Sequence, residues 1–265
     1  MKTKSLLIAA ATLAVGVITS QAAVYSQNVV GYYNVTVPAK GFYMIGSQLN
    51  LDNTNSINTL FSGLISDGNG VNNSVIWLWN PVSHQYSSFQ YFTGADADNN
   101  FLTSGSVNGF YDTSGNLQPA TLPVGQGAFI ENHGNTSPLT FTVAGNVAQG
   151  TNTITFNQGY TMVCAPVPIS TNICSTNINF VGTSDGNAVN NDVIWLWNPT
   201  SKQYSSFQYF TGADADNNFL TSGSVTGFYD TSGNLQNIAP LVGSGFFIQH
   251  IVATPETWTN IFQVQ

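Results

Sequence analysis

Few side chains in this sequence can do chemistry, and those that recur carry the most weight. Four aspartates appear twice at a constant offset of 118 residues: Asp67/Asp185, Asp96/Asp214, Asp98/Asp216 and Asp112/Asp230. In Asp96-Ala97-Asp98-Asn99-Asn100, oxygen donors stand at alternate positions, and Asp214, Asp216 and Asn218 repeat the pattern. Ca²⁺ takes six to eight hard oxygens, so Asp96, Asp98, Asn100, Asp214, Asp216 and Asn218 are the candidate calcium ligands. The match to a helix-loop-helix calcium loop ends at Phe101, where that loop needs Gly, and at Val107, where it needs a bidentate Glu. An Asx-rich loop that caps its own backbone explains the same residues. Both readings stand.

Aromatic strands are the second candidate. In Val75-Ile76-Trp77-Leu78-Trp79, alternation puts Val75, Trp77 and Trp79 on one face and Ile76 and Leu78 on the other. Both faces are apolar. One could line a core while Trp77, Trp79 and Tyr86, with Trp195, Trp197 and Tyr204 in the repeat, form platforms for sugar rings. The competing expectation covers that second face with a loop or the neighbouring module.

Enzyme constellations are poorly supported. His84, His133 and His250 have no histidine at the equivalent place, Glu131 and Glu256 are also unrepeated, and no His/Cys spacing suits a metal. A glycosidase needs two carboxylates flanking a cleft, and unpaired glutamates and loop aspartates argue weakly for one. Gly125-Gln126-Gly127 leads into a strand, so it is no dinucleotide fingerprint. Cys164 and Cys174 occur only in the second copy. An even count in an exported protein favours a disulfide between them, of structural meaning only.

Export is expected from the first residues. A short basic start, Met1 to Lys4, precedes an apolar run from Ser5 to Ile18, and Ser20-Gln21-Ala22 offers small residues at −3 and −1. Residues 1–22 therefore read as a signal peptide, too short to stay as an anchor. Cleavage would leave Lys40 and Lys202 as the only basic side chains (+2) against twelve carboxylates (−12), a formal charge of −10. Nucleic-acid binding and attraction to anionic lipid both need a basic footprint that two lysines cannot build. The expected product is exported, to the periplasm, cell surface or medium, with no membrane insertion.

The positioning frame is one unit written twice. Residues 75–118 and 193–236 differ only at Val82/Thr200, His84/Lys202 and Asn108/Thr226. Weaker matches at the same offset extend the repeat, giving expected modules at 23–146 and 147–265 with Ala144 to Gly150 as the link. Within each copy the signals are β: Asn34 to Val37, Gly41 to Leu49, Val75 to Trp79, Tyr86 to Phe92, Ala128 to Glu131 and Leu139 to Val143. Ser56 to Phe61 is the one short helix expected. The fold class is all-β: two tandem β-sandwich or small-barrel modules related by an internal duplication, and in contact.

Val29 to Pro38, VVGYYNVTVP, followed by Gly41 to Leu49, GFYMIGSQL, and by Leu122 to Ile130, LPVGQGAFI, resembles the pattern of an uncharacterised group of secreted bacterial tandem β-module proteins. The resemblance covers the mature chain and implies export and repeated β modules, without an activity. The second copy departs from it at Cys164-Ala165-Pro166, where the first has Gly46-Ser47-Gln48.

The expected function is a secreted, non-enzymatic structural, surface or adhesive protein that meets glycans, other surface proteins or further copies of itself. A carbohydrate-binding protein with twin aromatic sites is the alternative, and a glycoside hydrolase-like enzyme the third. No cofactor is expected unless calcium fills the aspartate loops.

Overall fold

The computed structural model describes residues 29–51, 53–66, 72–93, 102, 107–185, 190–212, 220 and 225–263. The expected signal peptide, Asp67 and all six candidate calcium ligands (Asp96, Asp98, Asn100, Asp214, Asp216, Asn218) lie outside the described residues.

The first half contributes β1 (Val30–Val37), β2 (Phe42–Gly46), β3 (Leu49–Asn50), helix α1 (Ile57–Leu60), β4 (Val75–Asn80), β5 (Gln85–Phe92), β6 (Gly109–Tyr111), β7 (Gly127–Glu131) and β8 (Leu139–Val147). The second contributes β9 (Gly150–Phe156), β10 (Gly159–Val163), β11 (Val193–Asn198), β12 (Gln203–Phe210), β13 (Gly227–Tyr229), β14 (Leu235–Gln236), β15 (Phe246–His250) and β16 (Glu256–Phe262). Among the described residues these form four antiparallel sheets, each drawn from one half. They run β2-β7-β4-β5-β6 and β1-β8-β3 in the first half, β10-β15-β11-β12-β13-β14 and β16-β9 in the second. The register repeats as well: Trp77 lies between Ser88 and Phe129, Trp195 between Ser206 and Phe247.

Each half is sandwich-like because its strands alternate. In β1, Tyr33, Val35 and Val37 are buried while Tyr32, Asn34 and Thr36 face water. They meet Phe141 and Val143 of β8 and, from the larger sheet, Ile45, Ile76, Tyr91, Phe110 and Ile130. Ile57 and Leu60 of α1 plug the edge of this core. The second core places Ile154, Phe156 and Trp258 against Val163, Ile194, Tyr209, Phe228, Phe246 and Ile248. Burying one such side chain is worth about 1.5–3 kcal/mol.

Several boundaries move. β1 and β8 are longer than their alternating stretches suggest, because the two strands pair along their whole length, Val30 opposite Asn146 and Val37 opposite Leu139. Ala144 to Val147 therefore belong to β8, the expected 146/147 boundary falls inside that strand, and only Ala148-Gln149 separate the halves.

The expected Cys164–Cys174 disulfide is corrected, since both are free thiols. Their side chains face different surroundings. Cys164 points into the contact between halves, where its Sγ lies 3.3 Å from the Ser47 carbonyl oxygen, whereas Cys174 packs against the second core. Burial pushes both thiols up, Cys174 to about 12.

The halves touch along backbone as well as side chains. Gly46 N–H donates to Gly243 O and Cys164 N–H to Gly125 O, both at 2.9 Å, positions that exchange under the 118-residue offset. The bridges Ile45 with Ser244 and Gln126 with Val163 exchange in the same way. Here the departure at Gly46-Ser47-Gln48 finds its physical meaning. Gln48, fully buried, donates from Nε2 to Ala165 O (3.1 Å) and Val167 O (3.0 Å) and accepts Gly243 N–H at Oε1 (2.6 Å). A Cβ on Gly46 would overlap the Cys164 side chain and come within 2.8 Å of Ser244 O. Gly46→Ala is accordingly expected to lower stability by about 1–3 kcal/mol, as overpacked sites do. Urea denaturation with an unchanged midpoint would contradict this close approach.

Candidate functional site: an aromatic seam with two clefts

The two large sheets present the same outer face to one another. On β4, Ile76 turns into the first core, while Trp77 and Trp79 face the other half. Met44, Phe129, Met162 and Phe247 form the buried centre of the seam, and Phe42, Trp77, Trp79, Trp195 and Trp197 pack around them. Met44/Met162 and Phe129/Phe247 are themselves offset pairs.

Contacts across the seam come in matched pairs, as a two-fold interface requires. Trp79 Nε1–H donates to Tyr160 O at 2.8 Å, and Trp197 Nε1–H donates to Phe42 O at 3.2 Å. Trp79 meets Phe247 edge-on at 5.4 Å, and Trp197 meets Phe129 edge-on at 5.5 Å. Tyr86 faces its own counterpart Tyr204, and the two line the same clefts. A residue that faces its own mate sits on the local two-fold axis. Burial raises both phenols above the ordinary tyrosine value, Tyr204 to about 12, so both stay protonated donors.

The β-turns extend the seam. His84 and Lys202 adopt left-handed backbone, φ 54° and 55°. The His84 ring stacks on Trp79 and closes against Gly159, where a Cβ would come within 2.9 Å of Nε2, while Lys202 Nζ reaches Lys40 O at 3.4 Å. One of the three differences between the near-identical segments thus falls at equivalent ends of this contact.

Around the axis the rings leave two open clefts. The first, about 330 Å³, is lined by Phe42, Trp77, Tyr86, Phe129, Trp197 and Tyr204. The second, about 290 Å³, is lined by Tyr160, Trp195, Tyr204, Phe247, Trp79 and Tyr86. They are counterparts position by position, differing only in Phe42 against Tyr160. Tyr86 and Tyr204, 39% and 40% exposed, stand in both. All six aromatic positions expected to form platforms (Trp77, Trp79, Tyr86, Trp195, Trp197, Tyr204) are brought together here. They are neither core nor free surface: they form a partly covered seam between halves.

On its far side Trp77 borders a more polar groove of about 350 Å³ with Ser88, Gln90, Tyr111, Asp112 and Glu131. Trp77 Nε1–H donates to Glu131 Oε2 at 2.9 Å, and His133 Nδ1 lies 2.7 Å from Oε1. The second half keeps the indole contact with a neutral partner, Trp195 Nε1–H to Gln249 Oε1 at 3.1 Å. Asp112 is held by its own turn. It accepts the backbone N–H of Asn116 (3.0 Å) and Ser114 (2.8 Å) and the side chain of Gln118 (2.8 Å), and these donors keep its carboxyl below the usual range. Asp230 repeats this arrangement with Asn234, Ser232 and Gln236. For this pair of the recurring aspartates, backbone N–H groups of the turn take Oδ1 and the side-chain amides of Gln118 or Gln236 take Oδ2.

One cluster escaped the repeat-based reading. Asp192, His250 and Glu256 converge inside the second half, from the segment before β11, the end of β15 and the start of β16. Burial, then the Asp192 carboxylate, pushes Glu256 up to about 8. Weighing unrepeated residues lightly hid this cluster, and the one signal available was that three ionisable residues replace neutral ones of the first copy.

Comparison with known proteins gives no match to a family model, a curated protein or a solved structure. Among the described residues, no helix is long and apolar enough to cross a membrane.

The paired indole bonds can be weighed directly. Trp79→Phe, which keeps an aromatic ring but leaves Tyr160 O without its donor, should cost about 0.5–1.5 kcal/mol. Trp197→Phe should cost a similar amount by denaturant titration. A large cost for one and none for the other would break the two-fold equivalence.

Proposed function

We propose that this protein is an exported, non-enzymatic adhesive protein that holds glycans in the twin aromatic clefts of its seam. The observation that carries this reading is the clefts themselves: two hollows, each walled by six aromatic side chains, set in equivalent positions on a packed scaffold. A pyranose presents a flat C–H face that suits an aromatic ring, and its hydroxyls can bond the two central phenols. The adjoining groove adds Ser88, Gln90 and the carboxylate of Glu131 beside the Trp77 ring. Rings already fixed by edge-to-face contacts lose little freedom on binding. The sparse charge of the chain, 6% of residues, fits a ligand recognised by stacking and neutral hydrogen bonds. The basic Met1–Lys4 start and apolar run support export.

The non-enzymatic part of the reading is supported by what lines the clefts. Rings and phenols surround them, and in the neighbouring groove Asp112 is committed to its turn beside Glu131. A twin-site protein gains avidity on a polymer that spans both sites.

Tyr86 and Tyr204 are the residues to change, because both line both clefts and neither belongs to a core. On a glycan array, the protein should retain a defined set of oligosaccharides, and Tyr86→Ala should weaken that retention by up to about tenfold, the upper scale of one lost aromatic contact. Its melting temperature should stay within a few degrees. Absence of any retained glycan for the wild-type protein would dismiss the reading.

A further inference from the structure

We propose that Asp192, His250 and Glu256 form a binding site for one zinc-type dication, buried in the second half and independent of the aromatic clefts. The three ligand atoms lie within 4.8 Å of one another. His250 Nδ1 is 2.8 Å from Asp192 Oδ1 and 3.3 Å from Glu256 Oε2. Ligand atoms about 2.0–2.2 Å from a tetrahedral zinc stand roughly 3.3–3.6 Å apart, so the His250–Glu256 separation already suits the ion and Asp192 Oδ1 would draw back from His250 to admit it.

The surroundings have the form of an outer coordination shell. His250 Nε2 lies 2.8 Å from the Thr254 carbonyl oxygen, which only accepts, so the ring carries its proton there and can turn Nδ1 toward a metal. A ligating histidine is commonly oriented in this way, by a backbone carbonyl on its other nitrogen. The carboxylates are held too. Thr183 N–H donates to Asp192 Oδ2 (2.9 Å), Ile251 N–H lies 3.4 Å from Asp192 Oδ1, and Thr183 Oγ1 donates to Glu256 Oε2 (3.2 Å). With a neutral imidazole, two carboxylates and one dication sum to zero charge. Two carboxylates against a ring nitrogen, with His250 and Asp192 fully buried, otherwise need protons between them.

The first half shows that the fold does not demand these charges. At the equivalent positions stand Ser74 and Asn132. Ile65 N–H donates to Ser74 Oγ at 3.2 Å where Thr183 N–H meets Asp192, and Asn132 Nδ2 bonds Pro38 O and Ser137 O. The same frame closes with neutral groups, so the ionisable set in the second half has a role besides closing it. Bound there, the cation would tie β15 and the segment before β11 to β16, joining the two sheets of that half. Glu256, 18% exposed, is the ligand nearest solvent and marks the side from which the ion enters.

The test uses the full-length exported form, stripped by chelator dialysis and titrated with Zn²⁺ by calorimetry. One equivalent should bind, and the melting temperature should rise with zinc and fall again with chelator. Glu256→Gln keeps the side chain's shape while removing its charge, and should weaken binding at least about tenfold, the scale seen even for outer-shell partners. The double change Asp192→Ser with His250→Asn installs the first half's neutral pair and should abolish uptake. No zinc heat and no thermal shift in the wild-type protein overturns the proposal. So does undiminished one-to-one binding by Glu256→Gln, which would place the ion elsewhere, at His84 or His133.

Discussion

Strands β4 and β11 are apolar on both faces, and that constraint organises the rest of the protein. One face of each closes a core within its own half. The other carries two tryptophans that one sandwich cannot cover. The structure answers with the second copy of the same surface. Facing the two sheets around a local two-fold axis lets one indole N–H of each half, that of Trp79 or Trp197, find a carbonyl in the opposite half, and lets Phe247 and Phe129 find a tryptophan edge across the seam. A self-complementary surface of this kind stays matched only if both copies keep it. That offers a physical reason for the near-identity of 75–118 and 193–236, of which β4, β5, β11 and β12 supply the seam.

The clefts follow from the same arrangement. Large rings packed edge to face across an axis leave hollows where flat rings would fill space, and the central tyrosines divide the hollow in two. On the proposed function, stability and glycan binding would therefore draw on one set of side chains. The tryptophans would then serve both, which limits what can be changed there, whereas Tyr86 and Tyr204 are the more exposed and freer positions.

Much of the fold was legible in the sequence because alternation and turn residues are local signals. Val75 to Trp79, Tyr86 to Phe92, Ala128 to Glu131 and the short helix near Ser56 all appear within a residue or two of their expected places. The lengths of β1 and β8 were not legible, since long-range pairing rather than local pattern extends them to Val30 and Val147. The aromatic residues were identifiable, but their placement depends on how two folded bodies dock, which no periodicity encodes. The cysteine pairing failed for a related reason: Cys164 serves the contact between halves, where its neighbours are Gly46 and Ser47. Repetition guided attention well to the seam and poorly to Asp192, His250 and Glu256, where the second half differs from the first.

The most direct test of the account is nuclear Overhauser spectroscopy on the folded protein with selectively labelled aromatic rings. Docking of the halves about the local axis predicts cross-peaks between Trp79 and Phe247 and, with similar intensity, between Trp197 and Phe129. Cross-peaks confined to rings of the same half, with none joining the two, would contradict it.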